Sequence, residues 1–204
     1  MVPSPIVVKV GGSLFDMPDL RPRLIQFLGG LSCPEVALVP GGGRIVDAIR
    51  HLDHSHGLGE EASHWLALRA LSLNAHFLAD LLQGQSAVVS AALEEWPGLW
   101  QRGTVPILDA YPFALADEAS ADHLLHSWDV TSDSIAARVA RVVGARRLVL
   151  LKSVGASDGA SRVDLLRQGI VDRFFMRALG HDLSCAKCEV EVVNFREWSP
   201  SHGK

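Results

Sequence analysis

Lys9 is the residue that most constrains the chemistry of this chain. It sits within Ile6-Val7-Val8-Lys9-Val10, an apolar run of strand type, and leads straight into Gly11-Gly12-Ser13. A charge inside such a run is costly unless it has a partner. Its bland alternative is a strand lysine whose head reaches solvent at a sheet edge. Glycines leaving a strand let backbone N–H groups approach an anion, because no Cβ stands in the way. A helix start behind them adds positive partial charge. A second turn of this design follows at Leu38-Val39-Pro40-Gly41-Gly42-Gly43-Arg44. Two such turns predict two phosphate-sized ligands facing each other, with Lys9 lying across the phosphoryl oxygens in transit. A tight turn needs one glycine, whereas three in a row cost backbone entropy and point to close approach by a ligand. Arg44 and Asp47, on the first turn of the helix that follows, are expected to face the same cavity.

Neither turn matches the two commonest nucleotide motifs. The Walker spacing G-x-x-x-x-G-K-[ST] is absent, and Lys9 precedes its glycines instead of following them. G-x-G-x-x-G is absent as well, which disfavours a P-loop enzyme and a simple dinucleotide-binding dehydrogenase.

Trp128-Asp129-Val130-Thr131-Ser132-Asp133-Ser134 is the third signal. Thr131 or Ser132 suits a helix N-cap and Asp133 suits the first turn, so capping alone would account for them. The small Ala136 and Ala137 also permit tight packing under a site, where Asp133 would hold Lys9. Leu148-Val149-Leu150-Leu151-Lys152-Ser153-Val154-Gly155 repeats the arrangement of strand, lysine and small residues, which gives Lys152 a candidate role on nucleotide phosphates. His64 stands beside Trp65 at the start of a long helical segment and could meet a polar substrate. His51, His54 and His56 read as a solvated loop, since their spacing matches neither HxxxH nor HExxH. Cys185 and Cys188 form a lone CxxC with His181 and His202 as the nearest extra ligands, and a pair of ordinary thiols is the better reading.

These residues must be positioned by strands and helices in alternation. Strands are expected at 6–10, 35–39, 86–90, 105–108, 147–151 and 190–193, most of them continuous Val/Ile/Leu runs of the kind covered on both faces. Helices are expected near 19–29, 43–53, 60–83, 132–143 and 172–180. The alternation predicts an α/β sandwich with a largely parallel sheet, whose ligands bind at the carboxyl ends of the strands. No repeat or linker divides residues 1–204. The 60–83 helix carries one stripe of Leu66, Ala70, Leu73, Phe77 and Leu81 and a second of Trp65, Leu68, Ala75, Leu78 and Leu82. So wide an apolar face is either a well-covered core helix or partly a contact with a second subunit in a homodimer.

Composition sets the outer limits. The 204 residues are 48% hydrophobic and 21% charged, an ordinary globular balance. A formal net charge of -4 argues against nucleic acid as the main partner. Three cysteines without a secretory leader point to a reducing compartment, with the cytoplasm as the default. No apolar run approaches the ~20 residues of a membrane span.

VVKVGGSL, LVPGGG, SDSIAA and an apolar strand ending in a small polar turn, in this order over about residues 6–195, resemble the amino acid kinase superfamily. The resemblance implies a three-layer αβα sandwich with ATP over one half of the sheet edge and the acceptor over the other. It implies magnesium, a catalytic lysine at Lys9 with glycine N–H groups on the γ-phosphoryl, and Asp133 ordering the lysines. His64-Trp65-Leu66-Ala67, the Trp128–Ser134 run, Leu151-Lys152-Ser153-Val154 and Gly169-Ile170-Val171-Asp172 are similar to a short subgroup linked to methanofuran-type cofactor synthesis. That subgroup passes a phosphoryl group from ATP to an existing monophosphate, here an aminomethylfuran phosphate, to make a diphosphate. The implied sites are catalytic Lys9, Asp133 and Lys152, with Gly11, Gly12, Ser13, Ser153 and Gly155 on the nucleotide. Gly41, Gly42, Gly43, Asp47, His64, Asp129 and Thr131 fall to the acceptor, and no residue is assigned to a metal. Two departures stand out. Many members carry a second lysine downstream, and after Lys152 only Lys187 and Lys204 remain, so Lys152, Arg173 or Arg177 must substitute. The usual glycine-containing segment closing the nucleotide site is also missing, which leaves a non-catalytic nucleotide- or anion-binding protein as the rival expectation.

Overall fold

Five consecutive buried residues at Ile6–Val10 (β1) and again at Val36–Pro40 (β2) explain why these runs lie inside a sheet covered on both faces. The computed structural model describes residues 5–157, 159–180 and 188–199. Among them Ala87–Ser90 (β3), Val105–Leu108 (β4), Arg147–Lys152 (β5) and Glu189–Asn194 (β6) complete a sheet in the order β3-β4-β2-β1-β5-β6. Every pairing is parallel. In register, Val10 pairs with both Pro40 and Leu151, so the turns after β1, β2 and β5 leave the sheet at one level.

The strand alternation divides the core in two. Val7, Ala37, Val39, Leu148 and Leu150 pack on one side, with Ile135, Ala136, Val139 and Ala140 of the helix Ser132–Val142. Ile6, Val8, Val10, Leu38, Val149 and Leu151 pack on the other, with Leu20, Leu24 and Phe27 of the helix Leu20–Gly29 (α1). Helices on both faces make the three-layer αβα sandwich expected of the sequence.

The remaining helices are Gly43–His56 (α2), Glu60–Leu81 (α3), Trp96–Gln101 (α4), Ala110–Asp117 (α5), Arg162–Arg167 (α7) and Phe175–Leu179 (α8), with Ser132–Val142 as α6. Strand ends agree with expectation to within a residue, whereas α4, α5 and α7 lie outside the expected helices. They are too short for a 3.6-residue period to develop. For α7 a cap signal was present, since Ser161 and Asp164 form a reciprocal capping box. α2 runs through His51, His54 and His56 to a left-handed Gly57, so these histidines lie on a helix and not on the expected loop. Arg44, expected in the cavity, projects into solvent with 89% of its side chain exposed.

The two stripes of α3 separate only in part, since Ala70 of the first is buried and Trp65 of the second is half-buried. Leu68, Ala75 and Leu78 are buried, as is Leu82 just past the helix end, whereas Leu66, Leu73 and Phe77 are exposed. Phe77 meets Phe15 edge-on at 5.4 Å, and the two rings border an open groove with Ile45 and Leu73. No helix among the described residues is long and apolar enough to cross a membrane.

Candidate functional site

Lys9 and Lys152 come from adjacent parallel strands and converge on one carboxylate. Lys9 Nζ stands 3.0 Å from Asp133 Oδ1, and Lys152 Nζ donates to Asp133 Oδ2 at 2.7 Å. Lys152 also donates to the carbonyl of Ile170. Lys9 and Asp133 are buried, with side chains 8% and 7% exposed, so Lys9 is not a strand lysine reaching solvent at an edge. Burial alone would push the Asp133 carboxyl up, but the charges and hydrogen bonds of the two lysines outweigh it and hold it below the usual carboxylate range. Burial, and then the charge of Lys9, push Lys152 down against the opposing pull of Asp133. Two ammonium groups on one carboxylate leave an excess of positive charge, the complement of a phosphoryl group.

The cap of α6 explains how Asp133 is free for this. Thr131 is the N-cap and its Oγ1 accepts the Asp133 N–H at 3.2 Å. Asp172 does the rest. Its Oδ2 accepts from Thr131 N, Thr131 Oγ1 and Ser134 N at 3.1, 2.7 and 3.1 Å. Its Oδ1 accepts from Ser134 Oγ at 2.5 Å and Phe174 N at 2.9 Å. A remote carboxylate therefore supplies the negative charge that the helix start favours, while Asp133 turns to the lysines. Asp172→Ala is expected to destabilise the fold by about 1–3 kcal/mol, through lost capping and orphaned donors. Urea unfolding checks this, and an unchanged midpoint would contradict it.

The glycine turns have a packing reason of their own. A Cβ on Gly12 would fall 2.0 Å from Gly43 N, and one on Gly41 would fall 2.3 Å from Gly12 N. Gly43 also takes φ +54°, and its Cβ would lie 2.6 Å from Gly12 O. The close approach that these glycines permit is, first of all, that of one turn to the other. Buried Asn74 of α3 locks the second turn, donating Nδ2 to the carbonyls of Gly41 and Gly42 at 2.8 and 2.9 Å. Ser13 and Ser153 join across the first turn at 3.1 Å.

A cavity of about 300 Å³ opens above this floor. Of the expected residues it is lined by Lys9, Gly11, Gly12, Ser13, Gly42, Gly43, Asp47, His64, Thr131, Lys152 and Ser153. Asp133 lies beneath, in contact with both lysines. Gly41, Asp129 and Gly155 are not in its wall. Gly41 is turned to Asn74, Asp129 pairs with Arg173 at 2.8 Å, and Gly155 lies against Asn194. Arg177 lines a separate small cavity. Of the three proposed substitutes for a second lysine, Lys152 is the one brought to Lys9. His181, Cys185, Lys187, His202 and Lys204 lie outside the described residues.

The lining also holds Leu68, Leu71, Ile135 and Arg50, which the sequence did not single out for the site, together with Trp128 from the start of the third signal. His64 stacks on His126 at 4.6 Å. Burial, then the charge of His126, push His64 down to about 4, so it is neutral near pH 7. Burial opposes a charge on His126 too, but bonds to Glu118 and Glu61 overcome it and raise His126.

The strand lysine, the paired glycine turns and the buried acid gather at the end of a parallel α/β sheet, and a profile of the amino acid kinase family matches residues 4–156. The chain belongs to that family. It is 24% identical over 151 residues to the [5-(aminomethyl)furan-3-yl]methyl phosphate kinase of Methanocaldococcus jannaschii, covering 72% of this chain and 65% of that protein. It is also 24% identical over 163 residues to the uridylate kinase of Thermoplasma volcanium, covering 78% and 64%. The chain thus spans just under two thirds of the length of these curated relatives. Among solved structures, the UMP kinase from Bacillus anthracis superposes with TM-score 0.68 at 17% identity, covering 95% of this chain and 88% of that one. The uridylate kinase from Archaeoglobus fulgidus gives 0.62 at 16%, covering 94% and 92%. At such identities the likeness establishes the fold.

Proposed function

We propose that the chain is an ATP-dependent, magnesium-requiring kinase that adds a phosphoryl group to a small phosphomonoester and forms a diphosphate. The observation that carries this reading is the pair of lysines from adjacent strands on one buried carboxylate, under two mutually packed glycine turns. An acceptor phosphate oxygen bonds to the γ-phosphorus as the bond to ADP breaks, and no side chain need form a covalent intermediate. Lys9 and Lys152 offset the charge on the oxygens in transit. Asp133 keeps both ammonium groups aimed at the cavity. The N–H groups of the glycine turns are available to the same oxygens.

The residues present fit a magnesium–nucleotide complex, which supplies the phosphoryl group already partly neutralised. Among the described residues no group of three or more His, Cys, Asp or Glu could hold a metal ion. Magnesium would enter on the nucleotide's phosphate oxygens with its own waters, leaving room for one or two protein carboxylates.

The acceptor we favour is an aminomethylfuran phosphate, as named for the Methanocaldococcus relative. Its body is compact enough for the cavity of about 300 Å³ above the lysines. ADP release should depend on the acceptor, with kcat/KM at least about tenfold higher for aminomethylfuran phosphate than for UMP. Preference for UMP would reassign the acceptor. ATP binding with no ADP release on any phosphomonoester would favour a non-catalytic nucleotide-binding role.

The exposed Leu66, Leu73 and Phe77 give this reading a second subunit on α3, since an apolar stripe of this kind favours burial. Sedimentation at micromolar concentration should give twice the mass of the chain, and a monomer would contradict it.

A further inference from the structure

Transfer onto a phosphomonoester brings two anions face to face, and Lys9 and Lys152 are both committed to Asp133 on the floor of the cavity. Among the described residues lining that cavity, the other fixed cation is Arg50. His64 in the same wall is neutral near pH 7, with a pKa of about 4.

Arg50 is held ready for an anion. It lies on α2 two turns beyond Gly43, its guanidinium carbon 5.0 Å from the centre of the Trp128 ring. Trp128 is itself pinned, donating Nε1 to Asp53 Oδ2 at 2.8 Å, and Asp53 Oδ1 accepts the Gly59 N–H at 2.9 Å. One edge of the guanidinium reaches Asp47 Oδ1 at 2.9 Å, and 49% of the side chain remains exposed. A guanidinium carries five N–H donors in a rigid fork, so pairing with Asp47 leaves donors for a phosphate. Stacking on a fixed ring removes much of the rotamer freedom that binding would otherwise have to overcome.

We infer that Arg50, held over Trp128 and steadied by Asp47, is the specificity-determining cation that seats the phosphate of the acceptor. The inference rests on the kinase reading above and deepens it. Arg50 selects phosphomonoesters over their alcohols, and Lys9 and Lys152 act on the phosphoryl group in transit. Asp47 serves the acceptor through Arg50.

The test is calorimetric binding in the presence of magnesium and a non-hydrolysable ATP analogue. The probes are aminomethylfuran phosphate, benzyl phosphate and the corresponding alcohols, with wild type, Arg50→Gln and Arg50→Lys. Arg50→Gln should weaken both phosphomonoesters by about 10- to 100-fold, the loss of a charge-assisted contact. Alcohol binding should be unchanged. Arg50→Lys should recover only part of the loss, because a point charge lacks the planar fork. In turnover, KM for the acceptor should rise while KM for ATP stays within about twofold. Equal binding of the phosphomonoesters by wild type and Arg50→Gln would overturn the inference and leave the kinase reading standing. So would equal loss of phosphates and alcohols in both variants, which would make Arg50 a packing residue. A wild type that binds neither phosphomonoester would overturn the inference and the acceptor reading together.

Discussion

Lys9→Ala is expected to lower kcat by about 10²-fold or more, with KM for ATP changing much less. The reason is geometric. Lys9 is buried in the middle strand beside Lys152, and both ammonium groups share Asp133. Removing one takes charge from the oxygens in transit, where a water-excluded site makes it most effective. Folding should tolerate the change, because Asp133 keeps Lys152 at 2.7 Å. Steady-state kinetics alongside a melting curve separates the two effects. A Lys9→Ala protein that turns over its acceptor at the wild-type rate would remove Lys9 from the mechanism.

Asp133→Asn should have a comparable effect on kcat and a clear one on stability. If Asp133 only capped α6, the change would cost at most about 1 kcal/mol. The cap is instead provided by Thr131 and Asp172, and Asp133 is the counter-charge of two lysines. The variant leaves two ammonium groups beside each other with no carboxylate, and breaking a buried pair in this way typically costs about 3–5 kcal/mol. The pH dependence gives a further signature. A lysine whose folded-state pKa lies below its unfolded value binds fewer protons folded than unfolded, so stability rises with pH across that interval. Lys152 is already pushed below 10.5, and loss of Asp133 pushes it further. The melting deficit of Asp133→Asn should therefore shrink as pH rises toward the unfolded lysine value of 10.5. In wild type the depressed carboxyl of Asp133 adds stability above its unfolded value of 3.8, and that contribution fades as pH falls through its lower folded value. Wild-type turnover together with a wild-type melting temperature in Asp133→Asn would contradict the assignment.

What the sequence reveals here depends on how local the cause is. β1, β2 and β5 are legible because strands covered on both faces are continuous apolar runs, and the lysines stand out as charges within or at the end of them. The glycine turns are legible as turns, yet their reason is not. Whether a Cβ would strike a ligand or the facing turn depends on the approach of β1 to β2. Asp133 is legible only as an ambiguity between a cap and a counter-ion. Asp172, 38 to 41 residues from the groups it caps, resolves that ambiguity. Trp128 meets Asp53 across 75 positions and Asn74 meets Gly41 across 33, so neither contact leaves a local trace. Arg50 reads locally as one more polar residue on an amphipathic helix. Its place over Trp128 is set by the loop that precedes α6.

The most direct measurement is a ³¹P NMR time course of the wild-type protein with ATP, magnesium and aminomethylfuran phosphate. The acceptor's single monoester resonance should be replaced by two mutually coupled diphosphate resonances as ADP accumulates in equal amount. Both changes should be suppressed about 10²-fold in Lys9→Ala. Release of ADP and inorganic phosphate with the monoester resonance unchanged would contradict the central claim, because it would make water and not a phosphate the acceptor.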